Sequence, residues 1–393
     1  MTFEFKVVQP EISDKAKDLA KKYGYRPYMI ERYFSMFKSN LDETMEFLEA
    51  NEQFSPLSLR VNTLKADPET VFEALNSKGY KLKQSEHISY AYSIEHDVIN
   101  EKTVHIKPKS PKYAMQGFER DPTTLKKVEW GRPSYLDEKG KAESEKREEA
   151  KNTQILRGKQ IGTLGSTHEY LMGHYYIQDF ASMFPIYYLN PQKNDFVLDM
   201  AAAPGGKTTH LAQIMENQGH IFAMDNNKKR LKSLVYNLRR CGIRNTTVLH
   251  MDANTSHKQN FNPDKILLDA PCTGEGLIRD DPTRKTSKKL TDVTGMMRKQ
   301  YSMLQSAIKT VKSGGEIMYS TCSIAPEENE FVIQKALDSN SNIEILSMDD
   351  EWGLPGYINV LGMDLSEDLL KARRLFPHIH NTIGFFYCLL RKI

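Results

Sequence analysis

The spacing of apolar positions changes twice along the chain. In residues 11–50, Ile12, Ala16, Leu19, Ala20 and Tyr23 keep helical spacing, as do Ile30, Tyr33, Phe34 and Phe37. Asn40, with Glu43 three residues on, supplies a capping pair for a third helix carrying Leu41, Met45 and Leu48. "LSLRVNTLK" (57–65) then reads as a strand. Asp67-Pro68 opens a helix with Val71, Phe72 and Leu75 on one face, Gly79 ends it, and "YKLKQ" (80–84) alternates as another strand. These features predict N-terminal helices followed by a small α/β module over 1–98.

Over 99–165 the pattern dissolves. "DEKGKAESEKREEAK" (137–151) has no apolar face, and its acids offset its bases, so a solvated insertion or linker is expected rather than an RNA-gripping arm. Over 166–393 short apolar runs ("DFVLDM", "GHIFAMD", "TTVLHMD", "DKILLDA", "GEIMYSTC") alternate with helical patterns at 207–217, 226–241, 292–312 and 326–338. Such alternation predicts right-handed βαβ units and a parallel sheet, with function collected at the carboxyl ends of the strands.

The first strand runs into "DMAAAPGGKTTH". Its "GGKT" suggests a triphosphate-binding loop, but Ala201 stands where that loop requires glycine, and the GxGxxG spacing is absent too. What remains is a small-residue turn in which Gly205 and Gly206 leave room for a ligand at a helix N-terminus. Asp225 ends the second strand, where a carboxylate can accept from ribose hydroxyls, and Asp252 ends the third. Either acid alone would be an ordinary helix cap. Together they describe a nucleoside pocket without a pyrophosphate loop, which favours S-adenosylmethionine over NAD or ATP.

The fourth strand ends at Asp269, followed by Ala-Pro-Cys272. The fifth ends at Ser320-Thr321-Cys322. Adjacent strand ends would gather Asp269, Cys272 and Cys322 beside a methyl donor. A thiolate added to carbon 6 of a pyrimidine makes carbon 5 nucleophilic enough to take a methyl group, and loss of the carbon-5 proton then expels the thiol. A free thiol has a pKa of about 8.5, so the site must favour the anion or remove the proton on attack. Asp269 could stabilise the base during addition. Such a base must be unpaired or flipped out of its helix. Spacing alone does not say which thiol attacks.

Composition narrows the setting. The four cysteines form no CxxC pair, and Cys241 and Cys388 lie in apolar patterns as core residues, so reduced thiols in a cytoplasmic protein are expected. The N-terminus lacks a signal-like apolar core, and no run is long enough to span a bilayer. A net charge of +3 names no partner. The basic stretch "RDDPTRKTSKK" (279–289) is a candidate phosphate contact. His378 and His380 have no cysteine or acid spaced to complete a metal set, so no metal is expected there but an RNA-facing or structural role.

"DMAAAPGGKTTHLAQIM", "LLDAPCTGEG", "YSTCSIAPEENE" and "RRLFPHIHNTIGFF", in this order, resemble the Nop/Sun family of RNA 5-methylcytosine methyltransferases. "LRVNTLK" (59–65) and "STHEYLMGHYYIQDFASM" (166–183) extend the likeness upstream. The resemblance implies an α/β fold: a Rossmann-like class I methyltransferase sheet preceded by a smaller helical and RRM-like region that positions RNA. It implies attack on carbon 6 by Cys322 and assisted release of the methylated RNA by Cys272. It further implies an S-adenosylmethionine site formed by Ala203, Pro204, Gly205, Gly206, Lys207, Asp225, Arg230, Asp252 and Asp269, with Asp269 also touching the base. A transfer or ribosomal RNA is the expected partner, with transfer RNA slightly favoured for a compact chain although "FPHIHN" looks equally like the ribosomal branch; no membrane and a monomeric chain are expected. An assembly factor without turnover would have lost catalytic positions that are present here. A DNA methyltransferase would attack through Cys272 and leave Cys322 unexplained.

Overall fold

The computed structural model describes residues 10–94, 163–348 and 352–393. The expected insertion, with the charged stretch 137–151, lies outside them apart from its last three positions. Three helices come first: α1 (Asp14–Tyr23), α2 (Pro27–Met36) and α3 (Leu41–Ala50). The Ser13 hydroxyl accepts from the Ala16 amide at the start of α1, and Asn40 Oδ1 accepts from the Asp42 and Glu43 amides at the start of α3. Their apolar faces share one core with the large domain: Tyr33 and Phe47 sit in the same cluster as Phe376, Ile266 and Ile317.

The small module contains β1 (Ser58–Val61), α4 (Pro68–Ser77, capped by Asp67), β2 (Leu82–Gln84) and β3 (Ala91–Ile94). Its sheet takes a fourth strand, β4 (Tyr175–Ile177), in the order β2–β3–β1–β4, all antiparallel. This moves the boundary expected at 166: the chain returns to the small sheet, pairing Leu59 with Ile177 and Val61 with Tyr175, before it enters the large domain. Buried Tyr175 completes the module's core with Leu59, Val61, Val71 and Leu75. Three residues are too few to show an alternating period, so the pairing was invisible in sequence.

The large domain contains α5 (Phe184–Leu189), β5 (Phe196–Asp199), α6 (Gly206–Ile214), β6 (His220–Asp225), α7 (Lys228–Arg240), β7 (Thr246–His250) and β8 (Lys265–Asp269). It continues with α8 (Leu290–Thr310), β9 (Glu316–Thr321), α9 (Glu330–Ser339), β10 (Ile343–Ile345), β11 (Leu354–Pro355), β12 (Arg373–Leu375) and β13 (Phe385–Lys392). The nine strands run β11–β12–β13–β9–β8–β5–β6–β7, with β10 also on β13. Strands β5 to β9 are parallel, as expected. The sheet as a whole is mixed, because β13 runs antiparallel to β9, with Phe386 opposite Thr321 and Leu390 opposite Ile317. The apolar run of β13 announces burial but carries no information about direction.

This order fixes the site. From β5 the chain winds outward through β6 and β7, then returns to place β8 on the other side of β5, so the winding reverses between β5 and β8. The carboxyl ends of these two strands diverge and leave a crevice where α/β proteins bind ligands.

Candidate active site

Parallel pairing sets Asp269 at the end of β8 opposite Ser320 on β9, so the loops that follow, 270–278 and 322–329, leave the sheet side by side. The Sγ atoms of Cys272 and Cys322 are 3.2 Å apart, both half-buried. Asp269 accepts from the Ser320 hydroxyl (2.8 Å) and from the Lys207 ammonium (2.8 Å), which α6 brings across from β5. The three groups singled out in the sequence therefore meet at the end of β8 and β9.

The two thiols differ electrostatically. The Cys322 thiol is pulled below its ordinary value, first because Cys272 donates a hydrogen bond to its anion and then because Lys207 and Arg284 are nearby; burial and Asp269 oppose this. Cys272 is pushed well up, by that same hydrogen bond, burial and the neighbouring Glu328. The pair titrates as a unit, and the thiolate belongs on Cys322 because the cations serve that side.

The loops are tied together by a carboxylate that the sequence reading passed over. Glu328 is fully buried and accepts from the Thr273 amide (2.8 Å), the Thr273 hydroxyl, the Ser323 hydroxyl (2.8 Å) and the Gln300 amide (2.9 Å). Gln300, on α8, also donates to the Pro271 carbonyl at 3.0 Å. The Gly276 amide donates to the Cys322 carbonyl (3.0 Å), and the Gly384 amide donates to the Gly276 carbonyl (2.9 Å). The "APEENE" run displayed Glu328, but nothing local revealed that Thr273, 55 residues upstream, would be among its partners.

On the donor side, β5 ends at Asp199, a second missed acid that stands at a strand end like the others. It is buried, accepts from the Thr208 hydroxyl (2.7 Å) and the Ala201 amide (3.3 Å), and burial raises its pKa to about 7. Ala203 precedes a cis Pro204, and Gly205 holds φ 108° at the start of α6. A Cβ at Gly205 would lie 2.9 Å from Leu234, and one at Gly206 would lie 3.2 Å from Tyr176. The positive φ of Gly205 and the closeness of Tyr176 to Gly206 each favour glycine here, besides any room left for a ligand. Arg60 on β1 donates to the Gly206 carbonyl (3.3 Å) and the Thr209 hydroxyl (2.8 Å), which joins the small module to the first turn of α6.

Asp225 is buried and accepts from the Asn227 amide (2.8 Å) and the Ala203 amide (3.3 Å), while Arg230 reaches both Asp225 (3.2 Å) and the Ala203 carbonyl. Asp252 is exposed and accepts from the Asn254 amide (2.9 Å), so it caps a 3-10 turn. Acidic acceptors thus ring the turn, and two of its cations, Lys207 and Arg230, are held by Asp269 and Asp225. Such a set fits a nucleoside donor without phosphates better than a nucleotide.

Two candidate surfaces change meaning. In the basic stretch 279–289, Arg279 is buried and donates to the Gln53 and Phe54 carbonyls and to Asn381. Lys285 is buried against Glu52, and Arg284 donates to the Thr273 carbonyl (2.7 Å). These three cations fasten the N-terminal helices and the Pro-Cys loop, while Lys288 is half-buried and Lys289 exposed. His378 lies among Phe37, Phe47 and Phe376, and burial pushes its pKa down to about 4. Among the described residues, no group of three or more His, Cys, Asp or Glu is placed to hold a metal, and no helix is long and apolar enough to cross a membrane.

A family model described as 16S rRNA methyltransferase RsmB/F matches residues 186–391. The chain belongs to this family. A second model, the ferredoxin-like domain of RsmF/B-like methyltransferases, matches residues 28–99 of this RsmB/F member. The chain is 34% identical over 381 residues, 96% of its length, to the 25S rRNA (cytosine-C(5))-methyltransferase nop2 of Schizosaccharomyces pombe, of which it spans 52%. It is 37% identical over 238 residues to the tRNA (cytosine(72)-C(5))-methyltransferase of Pyrococcus horikoshii, covering 60% of this chain and 56% of that protein. The chain thus spans about half the length of these curated relatives. The crystal structure of a methyltransferase homolog protein from Pyrococcus horikoshii aligns with a TM-score of 0.73 at 32% identity, over 97% of this chain and all of that one.

Proposed function

We propose that this RsmB/F family member methylates carbon 5 of a cytosine in RNA through a covalent adduct of Cys322. The observation that carries the reading is the pair of sulfurs 3.2 Å apart beside Asp269, with cations favouring the anion at Cys322. The 203–207 turn, Asp225, Arg230 and Asp252 would hold S-adenosylmethionine, which would supply an electrophilic methyl group. The Cys322 thiolate adds to carbon 6, and the electron pair of the carbon 5–carbon 6 bond becomes available at carbon 5 for methylation. Asp269, whose two oxygens accept from Ser320 and Lys207, would hold the base edge while charge builds on the ring. Transfer of the carbon-5 proton to solvent water then restores the double bond and returns the electrons of the C–S bond to Cys322. Cys272, which stays protonated, can give its proton to the leaving sulfur. The relatives matched over nearly the whole chain carry ribosomal RNA names, which favours ribosomal RNA as substrate; transfer RNA is the second arm of the test.

The test is methyl transfer from labelled donor to ribosomal and transfer RNA, with denaturing gels for adducts. Cys322→Ala is expected to abolish both transfer and adduct. Cys272→Ala is expected to trap an RNA adduct that survives denaturation. An adduct that requires Cys272 and persists without Cys322 reverses the roles, and transfer unaffected by either change rules out thiol catalysis.

A further inference from the structure

Arg32 lies midway along α2 and is only 1% exposed, although it belongs to the N-terminal helices. Its guanidinium enters the large domain, where Nη2 donates to Glu275 Oε2 and Nη1 sits 3.4 Å from both carboxylate oxygens of Glu327. Glu275 is three residues past Cys272, and Glu327 is five past Cys322. One side chain therefore joins the two thiol loops from outside, while Glu328 joins them from within. The neighbouring Tyr33 hydroxyl donates to Glu275 Oε1 at 2.6 Å, so α2 holds both oxygens of that carboxylate. Both carboxylates are nearly as buried as the arginine.

A buried ion cluster of this kind adds little net stability, because taking three charges out of water offsets most of their attraction. What it supplies is geometry. A planar guanidinium has fixed N–H directions and can set the distance between two carboxylates, whereas an ammonium acts as a point charge. We infer that α2 completes the thiol site, with Arg32 as a positioning residue that holds the Pro-Cys and Thr-Cys loops where Cys272 can donate to Cys322. The N-terminal helices thus act on the chemistry as well as on RNA placement. The consequence for turnover rests on the proposed function, but the loop geometry does not.

The test uses the full chain and two variants, Arg32→Lys and Glu327→Gln. The rate of Cys322 alkylation by iodoacetamide is followed by peptide-resolved mass spectrometry from about pH 6 to about pH 10, which brackets a thiol titration. The charged and titratable groups acting on this sulfur are Cys272, Asp269, Lys207 and Arg284, with Glu328 facing Cys272. Neither substituted residue is among them. If the loops separate, the hydrogen bond from Cys272 is lost, and the Cys322 midpoint rises by about 1 pH unit in both variants. Simple charge removal in Glu327→Gln would move it the other way, so the sign separates positioning from electrostatics. With RNA, kcat is expected to fall on the order of ten- to a hundredfold, as for misplacement by about an ångström, with KM for the donor unchanged.

A midpoint that stays put or falls in folded Glu327→Gln, with kcat within about twofold of wild type, overturns the inference. If Arg32→Lys fails to fold, Glu327→Gln decides alone, since it leaves Arg32 and Glu275 as a balanced pair. The alkylation arm needs no RNA: a raised midpoint in a chain that methylates no RNA would sink the cytosine reading and leave this one standing.

Discussion

Gly276 is the tightest point of the thiol site. A Cβ there would lie 1.9 Å from the Gly384 carbonyl oxygen and 2.8 Å from the Cys322 carbonyl oxygen, both backbone atoms. Real contacts of this kind do not fall below 3.0 Å, so in Gly276→Ala the Pro-Cys loop must move by roughly 1.1 Å or more, or push β13 away by as much. Either movement disrupts the hydrogen bond from the Gly384 amide to Gly276, and movement of the loop also disrupts that from the Gly276 amide to Cys322. Overpacking with loss of one or two buried hydrogen bonds costs ~3 kcal/mol, a fall in Tm of ~6–12 °C for a domain of this size. The sulfurs would separate by a similar distance, and methyl transfer should drop on the order of a hundredfold. The comparison is Gly295→Ala, in the interior of α8, where nothing lies within 4 Å of the new methyl; it should raise stability by ~0.5–1 kcal/mol and leave activity unchanged. Differential scanning fluorimetry with a radiolabelled methyl-transfer assay reads both. A Gly276→Ala enzyme with wild-type Tm and turnover would refute the claim that this crossing sets the sulfur geometry.

Glu328→Gln keeps the shape but turns one acceptor into a donor, so two of the four donors now pointing at the carboxylate lose their partner. Relief of the buried charge offsets part of the loss, and urea unfolding should show ~2 kcal/mol of destabilisation with turnover more than tenfold lower. The reactive form of Cys322 is its thiolate, so alkylation and methyl transfer should both fall as pH falls through its lowered pKa, with a midpoint below the ~8.5 of a free thiol. A midpoint above that value would contradict the assignment of the anion. Lys207→Met removes a cation that favours the thiolate and frees one oxygen of Asp269, so the same midpoint should rise. An unchanged profile would show that the lysine serves the donor alone.

How far the sequence reached can be judged from particular residues. The caps at Asn40 and Asp67 and the strand-end acids Asp225, Asp252 and Asp269 were legible, because capping and βαβ winding are short-range rules that one segment states by itself. Asp199 was equally visible and was overlooked. In the basic run 279–289 the composition was legible but not its use, because a local pattern cannot show that Arg279 and Lys285 bind residues more than 200 positions upstream.

By itself, then, the sequence determined that parallel strands would bear acids and thiols at their carboxyl ends, since period and chain order settle that much. Tertiary structure alone decided that β4 would close the small sheet, that β13 would run antiparallel beside β9, and that Glu328 and Arg32 would hold two loops so that the sulfurs stand 3.2 Å apart. The physical reason is that burial free energy selects which distant segments meet, and a carboxylate taken out of water must find whatever donors that meeting supplies.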